Sequence, residues 1–140
     1  MNHFSNLSAA PPTVLLVEDD VALLDMLRRT LERAGFAVIT AVHGIDALAK
    51  MRSFVADVVI TDIMMPEMDG FELIRSLHGT WPDLPIVAMS GIEDTVNFPN
   101  MALKFGARAA LAKPVNRSHL VQLIRDILAT APLTRRIAQA

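Results

Sequence analysis

An apolar run, Val58-Val59-Ile60-Thr61, ends abruptly on the carboxylate of Asp62, and a turn built on Pro66 and Gly70 follows. The other residues able to do chemistry sit in the same way. Glu18-Asp19-Asp20 follows Val14-Leu15-Leu16-Val17, Ser90 follows Ile86-Val87-Ala88-Met89, and Lys113 follows the small apolar stretch from Ala107 to Ala112. A buried carboxylate is too costly to leave unpaired, so Asp62 needs partners. Three adjacent acids repel one another unless a cation or a helix end lies nearby. Carboxylates beside one amine and one hydroxyl suit a hard divalent cation with an anionic ligand. Mg2+ takes oxygen ligands and bridges to phosphate oxygens, and a Lys is a point charge suited to a phosphoryl oxygen. A Ser hydroxyl can donate to another of those oxygens. A carboxylate such as Asp62 can itself accept a phosphoryl group as an acyl phosphate, while the cation and Lys113 offset the charge on the phosphoryl oxygens.

These groups converge only if the intervening elements bring the ends of the runs together. Val58 to Thr61 are all β-branched and therefore predict a strand. Their lack of alternation predicts that both faces are covered, as in a parallel sheet. Further strands are expected at Thr13–Val17, Phe36–Ala41, Ile86–Ser90 and, weakly, Ala107–Ala112. Asp20 is placed to cap a helix carrying Leu24, Leu27 and Leu31 on one stripe and ending near Ala34-Gly35. A second helix runs from Gly44 to about Phe54 with Ile45, Leu48 and Met51 inward. A third runs from about Asp69 to His78 with Phe71, Ile74 and Leu77 inward. Gly91 to Asn100 reads as a long loop, after which Pro99 opens a short helix to Phe105, ended by Gly106. Asn116 caps the last helix, whose Leu120, Leu123, Ile124, Ile127 and Leu128 form an apolar stripe. Five strands alternating with five helices predict an α/β fold with a parallel sheet and right-handed crossovers. All carboxyl ends of the strands then share one edge, where ligands of open α/β sheets bind.

With 140 residues, 52% hydrophobic and 20% charged, the chain suits one domain with a real core. The expected boundaries are a flexible leader at 1–12, the domain at 13–130 and a flexible tail at 131–140. A formal net charge of −2 gives no broad case for direct nucleic-acid binding. The absence of Cys removes disulfides, thiolate metal sites and Cys nucleophiles. No apolar run spans a bilayer and no secretory signal is visible, so a soluble cytoplasmic protein without membrane contact is expected. Met64, Met65, Met68 and Met89 read as packing residues, His43, His78 and His119 as surface residues, and Trp81 as a partly buried anchor. One of the three acids at 18–20 is expected to be only a cap.

Leu16-Val17-Glu18-Asp19-Asp20, the run from Asp62 to Gly70, Met89-Ser90-Gly91 and Lys113-Pro114 together resemble the receiver domain of two-component response regulators, over roughly 13–130. The resemblance implies a flavodoxin-like fold with strand order 2-1-3-4-5. It implies Asp62 as phosphoacceptor from a histidine kinase phosphohistidine. Glu18, Asp19, Asp62 and the backbone carbonyl of Met64 would hold Mg2+. Ser90 would be the hydroxyl that reorients toward the phosphoryl group, and Lys113 the family's lysine, joined to Pro114 by a cis bond. The upstream partner would be a histidine kinase or phosphotransfer protein, and the downstream partner an unknown protein reached by direct contact.

The chain departs from the family pattern in two places. The switch aromatic on the last strand falls at Ala110, and there is no Tyr in the chain. The segment between Ser90 and Gly106 reads poorly as a regular helix, and phosphorylation is expected to be reported through the loop 91–100 instead. Met64 and Ile92, each two residues past a site residue, are apolar and do not orient a hydrolytic water, so slow self-dephosphorylation is expected. Few residues follow the last helix, which predicts a receiver without its own output domain: a diffusible regulator, a phosphorelay intermediate or a receiver excised from a hybrid kinase. The alternative from another class is a Mg2+-dependent phosphohydrolase. Such enzymes place a second acid two residues after the nucleophile, where this chain has Met64. A receiver-like module that is never phosphorylated is disfavoured by the acid pair, Asp62 and Lys113.

Overall fold

The computed structural model describes residues 10–65, 68–91 and 98–130. Its elements follow the alternation read from the sequence: β1 (Thr13–Val17), α1 (Val21–Arg33), β2 (Ala37–Ala41), α2 (Gly44–Ser53), β3 (Val58–Asp62), α3 (Gly70–Thr80), β4 (Ile86–Ser90), α4 (Phe98–Phe105), β5 (Ala109–Ala112) and α5 (Arg117–Ala129). The strands form one five-stranded sheet in the order β2-β1-β3-β4-β5, and every neighbouring pair is parallel. This is the expected doubly wound, flavodoxin-like arrangement. The strand order reverses beside β1, the crevice where such sheets bind ligands.

Alternate residues of the strands feed two cores, because successive side chains point to opposite faces. Val14, Leu16, Val58, Ile60, Val87 and Met89 pack with Leu24, Leu27 and Leu31 of α1 and with Leu120, Ile124, Ile127 and Leu128 of α5. Leu15, Val17, Val59, Ile86 and Ala88 pack with α2, α3 and α4 on the other face. Double coverage explains why β3 and β4 are apolar up to Thr61-Asp62 and Ser90 at their carboxyl ends, and buried at every position. Among the described residues, no helix is long and apolar enough to cross a membrane.

The helix boundaries follow local chemistry. The Asp20 carboxylate accepts the N–H groups of Ala22 and Leu23 at 3.0 and 3.2 Å and so caps α1. Gly35, at φ 100°, ends that helix, and the Phe36 N–H closes back onto the Leu31 carbonyl at 3.1 Å. Phe36 therefore belongs to this closure rather than to β2, although its side chain is buried. Asp69 and Asn116 cap α3 and α5 through Glu72 and His119 N–H groups, both at 2.9 Å. Trp81 is partly buried against the core, as expected of an anchor.

Three local expectations are corrected. Ile45 was expected inward but is 54% exposed; the buried stripe of α2 is Gly44, Ala47 and Met51, which turns Ile45 to solvent. Gly44 joins that stripe because Met68 lies on it; a Cβ there would come within 2.8 Å of the Met68 sulfur. His43, read as a plain surface residue, caps α2, its Nδ1 accepting the Asp46 N–H at 3.1 Å. Phe98 to Asn100 are helical rather than loop, and α4 begins at Phe98, because burying the Phe98 ring extends the helix backwards past Pro99. Residues 92–97, and with them most of the expected signalling loop and Ile92, lie outside the described residues, as do Pro66 and the segments 1–9 and 131–140.

Gly70 is where the fold meets the site most closely. Its N–H donates to the Ile63 carbonyl at 2.8 Å. A Cβ at that position would lie 2.4 Å from the Asp62 carbonyl oxygen and 2.5 Å from the Ile63 Cα. Both are backbone atoms that cannot swing aside, so Gly70→Ala should destabilise the chain by about 1–3 kcal/mol or more. A lowered urea midpoint with unchanged slope checks this; an unchanged midpoint would contradict the close approach.

Candidate functional site

Four parallel strands end at one edge, and each delivers its polar residue there. β1 is followed by Glu18, which is fully buried and held by its N–H to the Ala41 carbonyl at 3.0 Å. β3 ends on Asp62, 3% exposed, with the Thr61 hydroxyl on its carbonyl at 2.9 Å. β4 ends on Ser90, buried on the neighbouring strand one residue past Met89, the register partner of Asp62. The Ser90 carbonyl accepts the Lys113 N–H at 2.7 Å, which fixes the backbone from which Lys113 projects.

Lys113 Nζ lies 2.8 Å from Glu18 Oε1 and 3.2 Å from Asp62 Oδ2. One ammonium thus bridges two buried carboxylates contributed by different strands. Oxygen atoms of Glu18, Asp19 and Asp62 all come within 4.8 Å of one another, with Asp19 on the exposed side. Asp20 is not in this cluster; it is the cap, and its N–H donates to Glu18 Oε2 at 3.2 Å. The Met64 N–H approaches Asp62 Oδ1 at 3.4 Å, and the Met64 side chain is exposed. The Lys113-Pro114 bond is cis.

The electrostatics follow from burial. Loss of hydration pushes the Glu18 carboxyl up to about 7; the Asp62 charge pushes the same way, while Lys113 and the Asp20 N–H pull it down. For Lys113, burial pulls the ammonium down, but hydrogen bonds and attraction from Glu18 and Asp62 outweigh it and leave the group above its usual range. Three carboxylates against one ammonium leave negative charge uncompensated once all are ionised. A compact, all-oxygen donor set of that kind fits a hard divalent cation.

The arrangement gathers Glu18, Asp19, Asp62 and Lys113 into direct reach, and sets Ser90 on the strand beside Asp62. Two further features were not legible in the sequence. The Ser90 carbonyl, rather than its hydroxyl alone, organises the site by holding Lys113. The backbone of Gly70 sits directly against the end of β3; Pro66 and Gly70 signalled a turn but not this contact.

Comparison with known proteins agrees with the geometry. The family profile described as response regulator receiver domain matches residues 14–125. The chain is 38% identical over 117 residues to the C4-dicarboxylate transport transcriptional regulatory protein DctD of Rhizobium meliloti, covering 84% of this chain and 25% of DctD. It is 37% identical over 115 residues to the response regulator MprA of Mycobacterium tuberculosis, covering 82% of this chain and 50% of MprA. The chain therefore spans half or less of these relatives. Among solved structures, the CheY-like receiver domain protein of Methanospirillum hungatei superposes with a TM-score of 0.81 at 30% identity, covering 86% of this chain and 95% of that one. The chemotaxis protein CheY4 of Vibrio cholerae gives 0.78 at 32% identity, covering 84% and 99%. Fold, profile and relatives converge: this chain belongs to the receiver domain family of two-component response regulators, the phosphorylation-dependent switches of two-component signalling.

Proposed function

We propose that Asp62 accepts a phosphoryl group from the phosphohistidine of a histidine kinase or phosphotransfer protein, and that the modified chain signals by contact with another protein. The observation that carries this reading is Lys113 bridging Glu18 and Asp62, with Asp19 completing the acidic cluster. In the transfer, an Asp62 carboxylate oxygen forms the new bond to phosphorus. The bond between phosphorus and the imidazole nitrogen breaks, its electron pair stays with the imidazole, and a solvent proton neutralises the leaving group. Glu18, Asp19, Asp62 and the Met64 carbonyl would hold Mg2+, which when bound supplies positive charge to the phosphoryl oxygens. Lys113 offsets further charge on those oxygens, and the Ser90 hydroxyl donates to one of them. The chain then catalyses only its own phosphorylation and dephosphorylation, in the cytoplasm. A phosphohydrolase is disfavoured because Met64, not an acid, stands two residues after Asp62. A role as phosphorelay intermediate uses the same chemistry with a second His as acceptor.

Incubation with Mg2+ and acetyl phosphate should add the mass of one phosphoryl group to the wild type and none to Asp62→Asn. Lys113→Ala should slow the uptake on the order of a hundredfold. Modification of Asp62→Asn, or steady phosphate release from a small phosphomonoester, would sink the assignment.

The raised Glu18 carboxyl gives a pH dependence. Its folded value of about 7 exceeds its ordinary 4.5, so the folded chain holds the proton more tightly than the unfolded one. That contribution to stability is complete below about pH 4.5 and disappears as pH rises through about 7. Thermal melts in chelator should therefore drop between those pH values more in the wild type than in Glu18→Gln. Mg2+ binding requires the ionised acid, so its affinity should climb over the same range and level off above it. Calorimetric titration at several pH values checks this, and a flat profile would contradict it.

Met64 offers no group to orient an attacking water, so the phosphorylated chain should lose its phosphoryl group over minutes or longer. Met64→Asn should shorten that lifetime. A wild-type lifetime of seconds would refute the reading.

A further inference from the structure

The chain holds 8 methionines, and burial sets one of them apart. Met51 and Met89 are fully buried, and the Met51 sulfur accepts the Ala56 N–H at 3.4 Å. Met26 packs against the core shared by α1 and α5. Met65 and Met68 pack against the core on the other face, where the Met68 sulfur lies over Gly44. Met101 is half-buried in α4. Met64 is 62% exposed, and it is the only exposed methionine among the described residues.

Met64 also borders the site. Its N–H approaches Asp62 Oδ1 at 3.4 Å, so its exposed side chain leaves the backbone at the mouth of the acidic cluster. A thioether is polarisable but accepts hydrogen bonds only weakly, so a water beside Asp62 finds nothing there to hold it. A thioether that solvent reaches is also open to oxidation. One oxygen on the sulfur turns an apolar side chain into a polar one that accepts hydrogen bonds from water. Met64 belongs to neither apolar core, so the change costs the fold no packing.

We propose that Met64 is a redox-modification site, through which a peroxide shortens the lifetime of the phosphorylated chain. In the step, a lone pair on the Met64 sulfur attacks one oxygen of hydrogen peroxide. The sulfur–oxygen bond forms as the oxygen–oxygen bond breaks, and the electron pair of that bond leaves with hydroxide. The proton on the transferred oxygen passes to the hydroxide, which departs as water. Sulfur is oxidised to the sulfoxide and the peroxide is reduced. A sulfoxide reductase supplied with thiols reverses the change, removing the oxygen as water while the thiols become a disulfide. The sulfoxide oxygen accepts a hydrogen bond from a water and holds it beside the phosphoryl group on Asp62, a role the thioether cannot fill. The inference adds a regulation to Asp62 as phosphoacceptor and rests on that reading.

The test treats the full chain with dilute hydrogen peroxide and reads the oxidation of each methionine by peptide mass. Met64 should gain its oxygen first. After the peroxide is removed, the chain is phosphorylated with acetyl phosphate and Mg2+, freed of the donor, and followed by mass. The oxidised wild type should lose its phosphoryl group roughly three- to tenfold faster than the untreated chain. Met64→Leu should show one rate with and without peroxide, and untreated Met64→Gln should lose the group faster than the untreated wild type. Methionine sulfoxide reductase with a thiol should restore the slow rate, and the thermal melt should be the same before and after oxidation. Faster oxidation of Met26 or Met101, an unchanged or longer lifetime once Met64 is oxidised, or the same peroxide response in Met64→Leu would overturn the proposal. So would a lowered melt, which marks a lesion in the fold, or a fast rate that survives the reductase. Phosphoryl uptake by the untreated chain is measured first on the same samples, so a failure of phosphotransfer is told apart from a failure of oxidation to act.

Discussion

The structure depends on one ammonium held between two buried carboxylates. Glu18 and Asp62 are almost completely removed from water, and each would be strongly disfavoured there as an isolated charge. Lys113 reaches both, but a single positive charge does not balance two acids and the nearby Asp19. The site is therefore electrostatically incomplete by construction. Burial, and to a lesser degree the Asp62 charge, pushes the Glu18 carboxyl up to about 7. An added cation and an added phosphoryl group change the balance in opposite directions, which couples the two chemically.

The sheet places that ammonium without any tolerance from loops. The Lys113 N–H is bonded to the Ser90 carbonyl, Ser90 ends the strand paired with β3, and β3 ends on Asp62. Asp62 and Ser90 thus inherit their positions from ladders buried along their whole length, and Lys113 inherits its own through the Ser90 carbonyl. The two apolar layers are what keep those ladders dry and regular. Gly70 extends the same logic to α3, whose first turn lies directly on the backbone of Asp62 and Ile63. Among the described residues no buried side-chain polar atom lacks a partner, so the strain of the site is confined to unbalanced charge.

At the opposite end of the sheet order, β5 joins the site to the surface. Lys113 follows directly on this strand, whose residues Ala109-Ala110-Leu111-Ala112 are small or apolar. A large side chain at position 110 would occupy space that Ala110 leaves open. Position 110 itself carries no aromatic ring.

Composition and pattern determined a great deal here. Apolar β-branched runs without alternation required a doubly covered parallel sheet. Parallel strands put Glu18, Asp19, Asp62, Ser90 and Lys113 on one edge, whatever their separation along the chain. Capping by Asp20 and Asn116 was legible because a short acceptor side chain before an apolar periodic run has few other uses. Tertiary structure alone decided the rest. Ile45 faces solvent because Met68 occupies the space over Gly44, a contact between distant elements that no local period reveals. Phe98 is helical because its ring is buried in the core on that face of the sheet. Which of the two remaining acids would be buried against Lys113 was equally invisible, since Glu18 and Asp19 are chemically alike and adjacent. Only the path of the chain out of β1 buries the first, exposes the second and turns the third into α1.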